Sequence, residues 1–212
     1  MLEVLRVVLD LFMIFYISMW IIFPAYLANA VAVPVSRGHQ FHPIDGGKML
    51  RGQRVFGDGK TIEGFLLSSA IGIGGGLVQC LLSPLFLVPS LAWHDFYGSI
   101  LVPRVDLELY VAANIQALAR ALLFPPGAML GDLLGSFIKR RLNISRGAKA
   151  PVLDQLDFIA GTILLSLVAV PIGGSFLQLG LIYVVVIVVL TPFIHRIVNK
   201  LAYKINIKPV PY

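Results

Sequence analysis

"LYVAANIQALARALLFPPGAMLGDLLGSFIKRR", residues 109–141, decides the fold, because it reads either as one membrane crossing or as two. As a single helix its apolar part, 109–138, would rise about 45 Å, past a hydrocarbon core of ~30 Å. Pro125 and Pro126 stand where a turn would divide it. Four other apolar stretches, 8–35, 62–90, 158–171 and 176–195, surround it, most of them long enough for the ~20 residues that span a bilayer. The chain therefore has five crossings or six.

Basic residues choose between the two. Lys and Arg collect in cytoplasmic loops. Here Arg37, Lys48, Arg51, Arg54 and Lys60 share one polar segment, Lys139, Arg140, Arg141, Arg146 and Lys149 a second, and Arg196, Lys200, Lys204 and Lys208 a C-terminal tail. Two crossings between successive segments put all three on one side. The expectation is an all-α integral membrane protein of five helices, N-terminus outside and C-terminus cytoplasmic, with the Pro-Pro pair a kink inside the third helix.

Composition supports a membrane class. Of 212 residues, 58% are hydrophobic and 13% charged, against roughly 25% charged in soluble domains, and the mean hydropathy is +0.86. The net charge of +6 is accounted for by topology and an anionic lipid bilayer surface, so no nucleic acid is implied. Cys80 is the single cysteine, which excludes an intramolecular disulfide. "ANA" at 28–30 resembles a signal-peptide cleavage site, but "MLEVLR" is not clearly basic and the apolar run is too long for an h-region, so a retained helix is expected. No repeat or soluble insert is visible, which predicts a single transmembrane catalytic domain over 1–212, with cytoplasmic loops 36–61 and 139–157 at the active-site mouth.

Within the second stretch Ser68, Gly72 and Gly76 recur every fourth residue, a spacing for close helix packing in lipid; "GIGGG" there follows no strand and is no phosphate loop. Trp93, Phe96 and Tyr97 read as an interfacial aromatic belt in an outer loop. Arg120, a cation inside a span, is a functional candidate by default, with the simpler reading of pairing within the bundle or snorkelling preferred over catalysis and Asn114 and Gln116 near it.

Eight charges crowd residues 131–158: three aspartates and five basic residues. On a helix Asp132, Ser136 and Lys139 are spaced i, i+4, i+7 and share a face. Arg140 and Arg141 follow, Pro151 suits the first turn of a new helix, and Asp154 and Asp157, three apart, project from one side of it. Carboxylate oxygens beside phosphate-binding cations are what a Mg²⁺–nucleotide site requires. The simpler readings are helix-terminus complementation, worth ~0.3–1 kcal/mol, and a topology signal. Three aspartates at a membrane exceed what those need, since a carboxylate buried in lipid costs a few kcal/mol unless paired. The expected metal ligands are Asp132, Asp154 and Asp157.

The first polar loop carries "RGQRVFGDGKTIEG", residues 51–64. Gly57, Gly59 and Gly64 permit a tight backbone, Lys60 and Thr61 suit phosphate oxygens, and Asp58 or Glu63 suits a metal or a helix cap. It lacks the spacing and the preceding strand of a true P-loop. Its value lies in sharing a membrane face with the aspartates.

These segments together resemble the archaeal CDP-archaeol synthases, relatives of the CDP-diacylglycerol synthases. The resemblance rests on "PAYLAN" at 24–29 followed by Pro34, "IDGG" at 44–47, "RGQRVFGDGKT" at 51–61, "GDLLGSFIKRR" at 131–141 and "PVLDQLDF" at 151–158. Where the bacterial enzymes carry a Pro-Gly-His-Gly-Gly stretch and D-R-x-D, this chain has "SRGAKAPVLDQLD", in keeping with the archaeal branch. The resemblance implies a cytidylyltransferase in which an isoprenoid ether-lipid phosphate, 2,3-bis-O-geranylgeranylglycerol 1-phosphate, attacks the α-phosphorus of CTP and pyrophosphate leaves. It implies Mg²⁺ on Asp132, Asp154 and Asp157, and phosphate contacts from Lys60, Thr61, Lys139, Arg140 and Lys149. Gly57, Asp58, Gly59, Ser136 and Arg141 complete the expected substrate surface. Asn29 is a nucleotide or headgroup contact, or a helix–helix hydrogen bond. No Ser-His or Cys-His pair is needed, so His39, His42, His94 and His195 are expected to be interfacial or structural.

Two rivals remain. A CDP-alcohol phosphotransferase would need a D-G-x-x-A-R run, of which "IDGGKMLR" is a fragment. A small membrane carrier would favour symmetric halves with broken helices, and no such halves are visible.

Overall fold

A computed structural model describes residues 2–36, 40–97, 107–145, 148, 150–172 and 181–206. Five long helices dominate them: α1 (Leu2–Ser36), α2 (Ile62–Tyr97), α3 (Leu107–Arg141), α4 (Pro151–Ser166) and α5 (Leu181–Lys204). A 3₁₀ segment, Leu167–Ile172, extends α4. Five stretches are apolar and long enough to cross a membrane, the fourth made by α4 together with its 3₁₀ extension. α3 runs unbroken through Pro125 and Pro126, so 109–141 is one crossing and the count is five.

Two boundaries differ from the sequence reading. α2 continues through Tyr97, which puts Trp93, Phe96 and Tyr97 on a helix, where an outer loop was expected. α5 continues to Lys204, so Arg196, Lys200 and Lys204 lie on helical turns and not in a free tail. α4 starts at Pro151 as expected, because proline's fixed φ and missing N–H suit a first turn.

The core joins four helices: Ile22 and Ala25 of α1, Phe124 and Ala128 of α3, Phe158 and Ile159 of α4, and Ile187 of α5. Most other large side chains face outward, as lipid contact allows. The Ser68/Gly72/Gly76 stripe packs as expected. A methyl group on Gly72 would lie 2.7 Å from the Pro125 ring and 2.8 Å from Ala28, and one on Gly76 would meet Ala121 at 2.8 Å. Residues 28–30 lie inside α1.

A second stripe, Gly127, Gly131 and Gly135, escaped the sequence reading although it has the same spacing. It faces α4, where a methyl on Gly161 would collide with the backbone of Gly127 and Gly131. Only hydrogen fits between these backbones. This contact sets Asp157 of α4 against Gly135 of α3.

Between α1 and α2 the chain forms a closed loop. Pro43 and Thr61 pair as an antiparallel bridge, with Ile44 N donating to Lys60 O and Ile62 N to His42 O. Inside it β1 (Met49–Leu50) and β2 (Gln53–Arg54) form a hairpin. Its two turn residues, Arg51 and Gly52, have φ of 51° and 77°, the positive values that a tight hairpin turn requires.

Candidate active site

The C-terminal ends of α1, α3 and α5 and the N-terminal ends of α2 and α4 enclose one cavity of about 770 Å³. Asn29, Asp58, Gly59, Lys60, Thr61, Asp132, Asp154 and Asp157 all line it. Five helices and the closed loop thus gather residues more than a hundred positions apart. Gly57, Ser136, Lys139, Arg140 and Arg141 stand outside the lining, and Lys149 lies outside the described residues, as does His39.

Charge pairing organises the cavity. Lys60 Nζ binds Asp132 Oδ2 directly, and Lys139 Nζ binds Asp154 Oδ1 at 2.6 Å. Asp154 also accepts from Ala150 N at 3.0 Å, so it closes the start of α4. Asp157 is 9% exposed, accepts from Phe158 N at 2.7 Å, and feels the negative charge of Asp132 and the positive charges of Lys60 and Lys139. Two lysines therefore neutralise two of three carboxylates in a site of low dielectric, where an uncompensated charge is expensive.

This arrangement bears on metal binding. Among the described residues no group of three His, Cys, Asp or Glu side chains is gathered closely enough to hold an ion unaided. Mg²⁺ asks for less, one or two carboxylates with substrate phosphates supplying further oxygens. Asp132 and Asp157, facing one cavity across the Gly131–Gly135 contact, match that donor set.

The closed loop is held by a residue that sequence reasoning left without a role. Asp45, 5% exposed, accepts from the backbone N–H groups of Gly47 at 3.1 Å and of Phe56 and Gly57 at 3.0 Å. Arg54 adds Nη2 at 2.5 Å and Nε at 3.2 Å. The Arg54 guanidinium, aided by those N–H groups, holds the Asp45 carboxyl well below the usual carboxylate range, against the opposing effect of burial. Arg54 also pairs with Asp58 at 2.5 Å. The only hint in the sequence was an aspartate followed by two glycines, the usual chemistry of a turn.

Arg141, expected at the substrate, is engaged elsewhere. Its Nη1 donates to Leu50 O at 2.6 Å and its Nη2 to Arg54 O at 2.9 Å, with its guanidinium 5.3 Å from the Phe137 ring centre. It clamps the hairpin onto the end of α3. Arg140 donates to Ile144 O and lies beside Gly57. Ser136 is buried. Thr61 caps α2, its Oγ1 accepting from Gly64 N at 3.2 Å, and Glu63 accepts from the backbone and ring of His42. The first turn of α2 lies at the cavity wall, with Thr61 and Gly64 among the lining residues, and its N–H groups are taken up by His42 O, Thr61 Oγ1 and Thr61 O.

α5 supplies a wall that the motifs did not announce. Ile194, Val198 and Ala202 line the cavity together with Ala30 and Val33 of α1, and His195 and Asn199 join them. Asn199 Nδ2 lies 3.2 Å from His195 Nδ1. His195, read as interfacial or structural, is therefore a cavity residue. One side of the cavity is ionic and the other largely apolar, the division that an amphiphilic substrate would need.

Comparison with known proteins gives the same answer. The family model described as CarS-like, CDP-archaeol synthase, matches residues 9–212. The CDP-archaeol synthase of Methanocaldococcus jannaschii is 37% identical over 196 residues, covering 92% of this chain and 96% of that protein. The CDP-archaeol synthase of Thermococcus kodakarensis is 40% identical over 196 residues, covering 92% and 95%. A solved structure described as an intramembrane enzyme for archaeal membrane lipids biosynthesis superimposes with a TM-score of 0.55 at 33% identity, over 85% of this chain and 91% of that one. With matches of this extent along a five-helix membrane bundle, the chain belongs to the CDP-archaeol synthase family of membrane enzymes.

Proposed function

We propose that this protein transfers CMP from CTP to an isoprenoid ether-lipid phosphate, 2,3-bis-O-geranylgeranylglycerol 1-phosphate, releasing pyrophosphate and the unsaturated CDP-lipid. One observation carries the reading: a single cavity joins Lys60, Thr61, Asp132, Asp154 and Asp157 to an apolar wall from α1 and α5.

The lipid phosphate is already an anionic nucleophile, so the protein's task is positioning and neutralisation. Lys60 and Lys139, held ready by Asp132 and Asp154, turn to triphosphate oxygens when the nucleotide arrives. Thr61 and the backbone at Gly59 receive further phosphate charge. Ala30, Val33, Ile194 and Val198 seat the glycerol end of the lipid, with Asn29 at the junction. Mg²⁺ on Asp132 and Asp157, with Asp154 alongside, would supply charge neutralisation of the triphosphate and of the leaving pyrophosphate. The cavity mouth, ringed by the basic segments, faces the cytoplasm.

Purified protein with CTP, Mg²⁺ and the lipid phosphate should release pyrophosphate, faster than with UTP, ATP or GTP and faster with the unsaturated than the saturated lipid. Absence of pyrophosphate release would overturn the assignment. Orientation has its own test: in a Cys80→Ala background, Gln53→Cys should react with an impermeant maleimide only after cells are opened. Labelling of intact cells would place the mouth outside. The phosphotransferase rival is weakened by Asp45, the aspartate of its partial motif, whose oxygens are taken up by loop N–H groups and Arg54.

A further inference from the structure

At the far end of the α1–α2–α3 junction lies a second, small cavity of about 30 Å³, lined by Pro24, Gln79, Cys80, Ala117 and Arg120 among others. Arg120 stands about 18 Å along α3 from Asp132, at ~1.5 Å per residue, and the two cavities share no lining residue. Two features of it are explained by local chemistry. Pro24 has no N–H, which deprives the Trp20 carbonyl of its helical donor, and Gln79 Nε2 of α2 donates to that carbonyl instead. Arg120 is not explained. Its Nη1 is buried and has no hydrogen-bond partner among the described residues.

A guanidinium cannot discharge itself at any accessible pH. The carboxylates on the three enclosing helices are Glu3, Asp10, Glu63, Asp95, Glu108 and Asp132, each about 15 Å of helix or more from this level. The protein thus offers a guanidinium whose Nη1 is enclosed and unpaired among the described residues, the second hydrogen of the Gln79 amide and the weak Cys80 S–H donor around a space large enough for one water-sized species. Water would fill the space but leave the charge uncompensated in a low-dielectric setting. We infer that Arg120 and Gln79 form an anion site between α1, α2 and α3, occupied by a halide-sized inorganic anion that neutralises the guanidinium and ties the three helices together. The same chemistry could be supplied by a lipid phosphate reaching in from the opposite leaflet, and the experiment separates the two sources.

Thermal unfolding of the detergent-solubilised protein is measured in sodium chloride and in sodium gluconate at equal ionic strength, for the wild type and for Arg120→Gln. A further gluconate series contains added anionic or zwitterionic phospholipid. Chloride should raise the wild-type Tm by ~5 °C over gluconate, with no such gain in Arg120→Gln. If anionic lipid gives that gain and chloride does not, the anion is a headgroup. Equal responses of wild type and variant in every series would sink the inference. Bromide-soaked wild-type crystals make the test independent of the variant's folding: an anomalous peak beside Arg120 Nη1 supports a halide, and a bare Arg120 both there and in the lipid series refutes the site.

Discussion

A methyl group on Gly131 tests the contact on which the active-site geometry depends. In Gly131→Ala the new carbon would sit 2.8 Å from the Asp157 carbonyl carbon and 2.8 Å from Phe158 Cα, and closer still to the Asp157 carbonyl oxygen. Relaxed carbon–carbon contacts lie at ~3.5–4.0 Å, so α3 and α4 must part by about 1 Å. Both obstacles are backbone, and no rotamer relieves them. The cost falls at the upper end of overpacking, about 3 kcal/mol, or a Tm lower by ~6–12 °C at ~2–4 °C per kcal/mol. Because Asp157 rides on the displaced segment while Asp132 is fixed to α3, turnover should drop about 100-fold, the penalty for a 1 Å misplacement. Tm and pyrophosphate release are measured together, with Gly74→Ala as control, since nothing lies within 4 Å of a methyl there. The control should be neutral or stabilised by up to ~1 kcal/mol through helix propensity. If Gly131→Ala matches Gly74→Ala in both Tm and rate, the helices are not this close and the pairing of Asp132 with Asp157 fails.

Three further outcomes follow from the same geometry. Asp157→Asn should abolish pyrophosphate release while leaving Tm within a few degrees of wild type; a fully active variant removes Asp157 from the site. Asp45→Asn should lower stability by about 2–3 kcal/mol, since an amide cannot accept all of the N–H groups converging there. Asp45 is more acidic folded than unfolded, so its contribution is complete above pH ~4 and is lost as pH falls below that value. The wild-type Tm should therefore fall more steeply than that of Asp45→Asn below pH ~4, and parallel profiles would contradict the assignment. Arg141→Ala should free the hairpin from α3, seen as faster proteolysis at residues 49–54, and should raise the KM for CTP about tenfold through the displaced Lys60; unchanged proteolysis would show that the clamp is dispensable.

Hydropathy and the three basic clusters were enough to count five helices and to gather their loops at one end, because lipid leaves a chain few ways to satisfy its backbone. The aspartates and Lys60 were legible for a related reason: charge beside a membrane is costly and calls for a purpose. Their partners were not. Lys60 and Asp132 lie 72 residues apart in sequence, and no local pattern distinguishes a lysine awaiting phosphate from one already bound to a carboxylate. Arg141 shows the opposite failure, since its place in a basic run concealed that its donors reach three backbone carbonyls of the hairpin.

What the sequence by itself determined is composition along the membrane normal: which segments enter lipid, which end gathers charge, and which residue types are present for phosphate chemistry. What only the tertiary structure decided is lateral arrangement within the bundle. The Gly131–Gly161 contact, the buried Asp45 and the apolar wall from α5 depend on which helix faces which, and at what distance. In lipid that choice rests on small-residue packing and individual hydrogen bonds rather than on hydrophobic burial, so hydropathy carries no record of it.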